Sequence, residues 1–177
     1  DWALSGQTGV RFDRDDAFRR ISRSFHAVKD SEYAPPVSLQ KTLRKYQRDG
    51  YRWLRTLDGY GMGGILADEM GLGKSVQLLS LIEARKGNGP SLIVCPASLV
   101  YNWAAECEKF AGDLTVEVIA GTKAQRRKAI ATVAAQSQEN DGATTNGATT
   151  YDGTDVVITS YDLLRRDVDD YAACHSR

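Results

Sequence analysis

With 177 residues, 42% of them apolar and 26% charged, the chain is long enough for one domain with a true core, and its composition reads as soluble and globular rather than disordered. Lys and Arg number 23 and Asp and Glu number 23, so net charge argues neither for nor against nucleic acid. Any basic surface has to come from local clustering.

From the N-terminus, Asp15 to Val28 sets Phe18, Ile21, Phe25 and Val28 at helical spacing and predicts a short amphipathic helix. Pro35-Pro36 then breaks the chain, so residues 1–36 read as a helical leader and 37–177 as the main domain. A second helix is predicted from about Gln40 to Leu57, with Leu43, Tyr46, Gly50, Trp53, Leu54 and Leu57 on one face. Lys41, Arg44, Lys45, Arg48, Arg52 and Arg55 make a basic stripe that reads as a solvated face before it reads as a phosphate contact. Gly63 to Ala67 is a short apolar strand, followed by a helix from Gly73 to Lys86 that Gly87 stops.

Ser91 to Cys95, ended by Pro96, carries the continuous apolar run of a strand covered on both faces. Ser98 is placed to cap a helix running through Phe110. Leu114 to Ile119 alternates as a strand, Thr122 caps a helix from Lys123 to about Ala135, Asp155 to Thr159 is another buried strand, and a last helix begins near Tyr161. Strands alternating with helices predict an α/β fold: a mainly parallel sheet with helices on both faces. Gln136 to Thr154, with two Gly-Ala-Thr-Thr copies among Asn, Asp, Ser and Gly, lacks apolar surface to bury and is expected to be a flexible insertion.

Cys95, Cys107 and Cys174 stand far apart, which fits neither a disulfide framework nor a zinc site and points to a reducing compartment. No apolar run approaches the ~18 residues of a membrane span, and no signal-peptide pattern opens the chain, so no membrane partner is expected. The first residue is Asp1, not Met, which suggests a piece of a longer protein.

The chemistry concentrates in Asp68-Glu69-Met70-Gly71-Leu72-Gly73-Lys74-Ser75. A phosphate cradle needs backbone N–H groups turned inward in a tight loop free of side-chain obstruction, and Gly71 and Gly73 supply that freedom. The loop opens a helix, whose N-terminus adds its positive end. Lys74 is the flexible point charge for the β and γ phosphates of ATP, and the Ser75 hydroxyl is the expected ligand of the bridging Mg2+. The general phosphate-loop pattern wants Gly where Asp68 stands, so the flanking strand and helix carry the assignment.

Several strings together resemble one family, the Swi/Snf-type branch of superfamily-two helicase-like ATPases. The loop of that branch reads Asp-Glu-Met-Gly-Leu-Gly-Lys-Thr, which makes Asp68 a family feature and Ser75 a hydroxyl-preserving change. Leu43-Arg44-Lys45-Tyr46-Gln47 is similar to the adenine-reading motif, in which Gln47 offers a donor and an acceptor to N6 and N7 of adenine. Val94 to Trp103 and Val157 to Asp162 resemble the two DNA-contacting motifs, which nominates Ser98, Asn102, Thr159 and Ser160 for phosphate contacts that position DNA without reading its sequence. Trp103 reads as core.

The resemblance implies the front part of a first RecA-like lobe in a parent that couples ATP hydrolysis to movement on double-stranded DNA. It places the parent in the cytoplasm if bacterial, which the leader favours, and in the nucleus if eukaryotic. It also implies an acidic pair, Asp-Glu-Ala/Gly-His, for hydrolysis, and a second lobe with an arginine finger. Neither is found in these 177 residues, so the expectation here is nucleotide binding without hydrolysis, and a phosphate-loop strand lacking a sheet neighbour. The alternative is a non-helicase phosphate-loop enzyme, such as a kinase or small NTPase, or a nucleotide-dependent interaction module. The upstream adenine motif and the two strand-end motifs count against it.

Overall fold

The computed structural model describes residues 33–140, 144–145, 148–149 and 153–175, with residue 16 alone before them. The helix expected over Asp15 to Val28 therefore lies outside the described residues.

Helix α1 spans Lys45–Gly59 and α2 spans Lys74–Ala84. Strand β1 (Ser91–Cys95) leads through a 3-10 turn at Ala97–Leu99 into α3 (Val100–Phe110). Strand β2 (Val116–Val118) is followed by α4 (Lys123–Asn140), a two-residue ladder of β3 (Thr144–Thr145) with β4 (Ala148–Thr149), and β5 (Val156–Ser160). Two short helices close the chain, α5 (Tyr161–Arg166) and α6 (Val168–His175).

The main sheet has three parallel strands in the order β1-β5-β2. Register runs from Ser91 opposite Val156 to Cys95 opposite Ser160 on one side, and from Val116 opposite Val156 to Val118 opposite Ile158 on the other. All five β5 residues are buried, because this strand has a neighbour on each edge and helices on each face. The path β1 to β2 crosses the sheet one way and β2 to β5 returns, so crossovers of one hand must place α3 and α4 on opposite faces. The cores agree. Val156 and Ile158 point into a cluster with Leu79, Ile82, Ile93, Cys95, Val100 and Cys107, whereas Val157 meets Ile119, Ile130 and Val133 on the α4 side. The parallel α/β expectation holds.

Element bounds depart from the sequence reading where polar groups find partners. The buried side of α1 is set by Gln47, Tyr51, Thr56 and Leu57 and leaves Tyr46 outside, because the Tyr51 hydroxyl donates to the Ala34 carbonyl at 3.1 Å while Gln47 turns inward. Much of the basic stripe is spent locally: Arg48 donates to the Leu43 and Gln40 carbonyls, and Arg52 and Arg55 pair with Asp49 and Asp58. Thr122 caps α4 as expected, in a reciprocal pair with Gln125, but α4 continues to Asn140 instead of ending near Ala135. Ser98 does not cap α3, since the 3-10 turn intervenes and puts Leu99 at the cap position. Cys95 and Cys107 are buried and burial pushes both thiols up, which leaves them inert. Among the described residues, no helix is long and apolar enough to cross a membrane.

The single last helix expected after Tyr161 is two helices, broken at Asp167. Its carboxylate turns inward to a fork–fork pair with Arg126 of α4, at 2.5 and 2.8 Å, and Arg126 also donates to the Gly121 carbonyl at 2.7 Å. Hydrogen bonds from Arg126 outweigh burial and hold the Asp167 carboxyl below the usual carboxylate range. A depressed acid contributes stability above its ordinary pKa and loses it as pH falls through the lowered value. Asp167→Asn is therefore expected to lower the urea midpoint at pH 7, with the gap to the unsubstituted chain closing as the solution is acidified.

Candidate nucleotide-binding site

Residues 68–75 lead directly into the head of α2. The strand expected before them does not form: the described residues from 62 to 69 join no ladder, and Ile65 is 86% exposed. A strand needs a neighbour to pair with, and β1, the edge of the sheet, is paired only with β5. What positions the segment instead is α1. A Cβ on Gly64 would lie 2.5 Å from Leu57 and 2.9 Å from Trp53, so the backbone lies directly against these two side chains.

At the junction, Gly73 has φ +73 and ψ 46, the left-handed conformation that favours glycine, and no side chain caps α2. The first N–H groups of a helix have no partner within it, so an uncapped end presents them to an anion. Two donors from α1 set the direction of the loop: the Tyr46 hydroxyl and Gln47 Nε2 both donate to the Leu72 carbonyl, at 3.1 and 3.0 Å. In a planar trans peptide the C=O and N–H are opposed, so drawing the Leu72 oxygen toward α1 turns the Gly73 N–H away from it.

Lys74 is half-buried and its Nζ donates to the Asp68 and Glu69 carbonyls at 2.7 and 2.8 Å, so the loop closes around its ammonium. The side chain is not packed into the core. Asp68 accepts from Gln77 Nε2 at 2.9 Å. Met70 is 97% exposed at the tip of the loop, and Glu69, Gly71 and Leu72 are exposed beside it. Ser75 is half-buried at the second position of α2. Among the described residues, no three or more His, Cys, Asp or Glu side chains gather as a metal site. One hydroxyl at Ser75 suits a hard cation that takes its other ligands from phosphate and water.

Gln47 is only 7% exposed, and its carboxamide is engaged: Oε1 accepts from the Arg44 N–H at 2.9 Å while Nε2 holds Leu72. One oxygen lone pair is left over, and the second N–H faces only a long 3.4 Å contact with the Tyr46 hydroxyl.

The residues nominated for DNA separate into two pairs. Ser98 and Asn102 are exposed just beyond β1. Thr159 is wholly buried within β5 and its hydroxyl donates to the Ile119 carbonyl at 3.2 Å, while Ser160 is buried and its Oγ accepts from the Leu163 N–H as the cap of α5. Both of the latter hydroxyls face structural partners. Tyr101 and Tyr161, which the sequence reading passed over as contacts, stand exposed next to Asn102 and Ser160 in the chain. Trp103 packs partly buried against the main core, as read.

The model of the SNF2-related domain matches residues 46–177. The chain belongs to the SNF2-related family. Among the relatives of this SNF2-related chain, the TATA-binding protein-associated factor mot1 of Schizosaccharomyces pombe is 31% identical over 89% of the chain and 8% of its own length. A Bacillus subtilis protein provisionally named an ATP-dependent helicase/translocase is 32% identical over 96% of the chain and 17% of its own length. The SWI2/SNF2 ATPase core of Sulfolobus solfataricus, solved in complex with double-stranded DNA, superposes with a TM-score of 0.53 at 32% identity, over 72% of this chain and 23% of that one. The chain thus spans under a fifth of the length of these curated relatives, and its fold is part of a RecA-like SNF2 lobe.

A Cβ on Gly73 would stand 2.4 Å from Gln47 Nε2. Gly73→Ala is expected to cost about 1–2 kcal/mol in urea unfolding from the left-handed backbone alone, and to displace Gln47 from Leu72.

Proposed function

We propose that this chain is the ATP-binding portion of a SNF2-type motor whose full-length parent couples ATP hydrolysis to movement along double-stranded DNA. The observation that carries the reading is the uncapped head of α2, with Gly73 left-handed and Lys74 held at the mouth of the loop, inside a chain of SNF2-related sequence. Backbone N–H groups of residues 71–75 would hold the phosphates, Lys74 would neutralise the β and γ oxygens, and Ser75 would ligate Mg2+, which supplies charge neutralisation between those phosphates when bound. The remaining donor and acceptor of Gln47 would read adenine. Asp68 and Glu69 contribute through their carbonyls, which hold Lys74.

Exposed Ser98 and Asn102 are the side chains we assign to DNA phosphates at the carboxyl edge of the sheet. Thr159 and Ser160 would act there by shaping the turn after β5, with contacts from their neighbourhood made by the main chain. The 177 residues contain no Asp-Glu-Ala/Gly-His string, so binding rather than hydrolysis is the activity assigned to them. The remainder of the parent chain, with a second RecA-like lobe, would complete the catalytic site. The reading places the parent where DNA is, the bacterial cytoplasm or a eukaryotic nucleus.

Mg-ATP at ~100 times its dissociation constant adds about 2.7 kcal/mol to a folded chain that binds it, which at roughly 2–4 °C per kcal/mol is a melting shift of about 5–10 °C. Lys74→Ala is expected to erase that shift, and an equal shift with GTP would remove the role given to Gln47. The parent is expected to show ATPase activity stimulated by double-stranded DNA, weakening steeply as salt rises. Stimulation by RNA alone would overturn the DNA assignment.

A further inference from the structure

Gln77 is a buried side chain that the nucleotide reading leaves unused, and its environment is unusual. It is fully buried on the second turn of α2, yet its Oε1 has no hydrogen-bond partner. Its Nε2 is aimed at Asp68 Oδ2, at 2.9 Å, and the Asp68 main-chain carbonyl in turn receives the Lys74 ammonium at 2.7 Å. On the other side, Gln77 presses on α1: a Cβ on Gly50 would lie 1.8 Å from Oε1, so any side chain there would push the Gln77 amide out of its present place. Glycine inside a helix is less stable than alanine there, and a buried acceptor without a partner keeps the cost of its lost hydration. A sequence that bears both penalties at one contact, where an apolar side chain of the same length would avoid the second, is spending stability on position.

We infer that Gln77 is a positioning residue for nucleotide binding, acting through Asp68 on Lys74. The chain of contacts has a mechanical reading. The Gln77 amide fixes the Asp68 side chain, which fixes the rotation of the residue whose carbonyl holds the ammonium. Gly50 leaves room on α1 for the Gln77 amide, on the same helix from which Gln47 reaches Leu72 at 3.0 Å. The inference rests on the ATP-binding reading and deepens it.

The test is nucleotide affinity, by titration of the chain with Mg-ATP, set beside the urea stability of the free chain. Gln77→Met keeps length and flexibility while removing both amide groups. The expected result is unchanged or raised stability of the free chain together with ATP binding weakened about ten-fold, the scale of one hydrogen bond to a charged group. A structural side chain would move stability and affinity in the same direction. Asp68→Ala, at a half-exposed loop position, is expected to weaken ATP by the same factor, and Asp68→Asn, which still offers Gln77 an oxygen, to restore it. These two variants carry the test if Gln77→Met fails to fold. ATP affinity unchanged in both Gln77→Met and Asp68→Ala, or Asp68→Asn as weak as Asp68→Ala, overturns the inference while leaving the ATP reading intact. No binding by the unsubstituted chain overturns both.

Discussion

The loops at the carboxyl edge of the sheet are all placed by one strand that never meets water. β5 pairs on both edges and is covered on both faces, and its alternate residues anchor the two cores: Val156 and Ile158 to the α2–α3 side, Val157 to the α4 side. Because all three strands run parallel, their carboxyl ends lie along one edge, with Ser160 abreast of Cys95. Ser98, Asn102 and the turn into α5 therefore share that edge. No side chain chose this arrangement individually; it follows from burying a continuous apolar strand between two others.

The nucleotide loop is held differently, without a ladder. Its approach segment lies on Trp53 and Leu57, its Leu72 carbonyl is drawn by Tyr46 and Gln47, and its lysine closes on two of its own carbonyls. The motif that sequence alone reads as a base sensor is thus also a strut of the phosphate loop. On the opposite flank, the Arg126–Asp167 pair fastens α4 to the corner between α5 and α6, so the turn after β5 is tied to the loop after β2 through Gly121.

Much of this was legible in the sequence because it is local. Ser91 to Cys95 and Asp155 to Thr159 announced themselves by continuous apolar runs, Thr122 by its partner three residues on, and the loop by its glycines. What periodicity does not show is which partner a group will find. An isolated apolar run at Gly63 to Ala67 looks like a strand, but strand formation depends on a neighbour that periodicity does not reveal. Ser98 has the chemistry of a cap, yet a 3-10 turn moved the helix start past it. Thr159 and Ser160 have hydroxyls suited to phosphate, and in the fold those hydroxyls meet the Ile119 carbonyl and the Leu163 N–H, partners 40 and 3 residues away. Gln77 gave no signal, since a lone glutamine on a helix is usually solvated, and the glycine its amide lies against is on another helix.

The contact between Gln47 and Gly73 also limits redesign. A shorter residue at position 47 would let go of the Leu72 oxygen, and any side chain at 73 would strike the amide that now occupies its space. If the chain binds ATP as proposed, attempts to retune which purine is accepted by enlarging or trimming position 47 would thus alter the grip on the triphosphate at the same stroke. Base preference and phosphate affinity in this chain would have to be engineered as one variable, by paired changes on both helices.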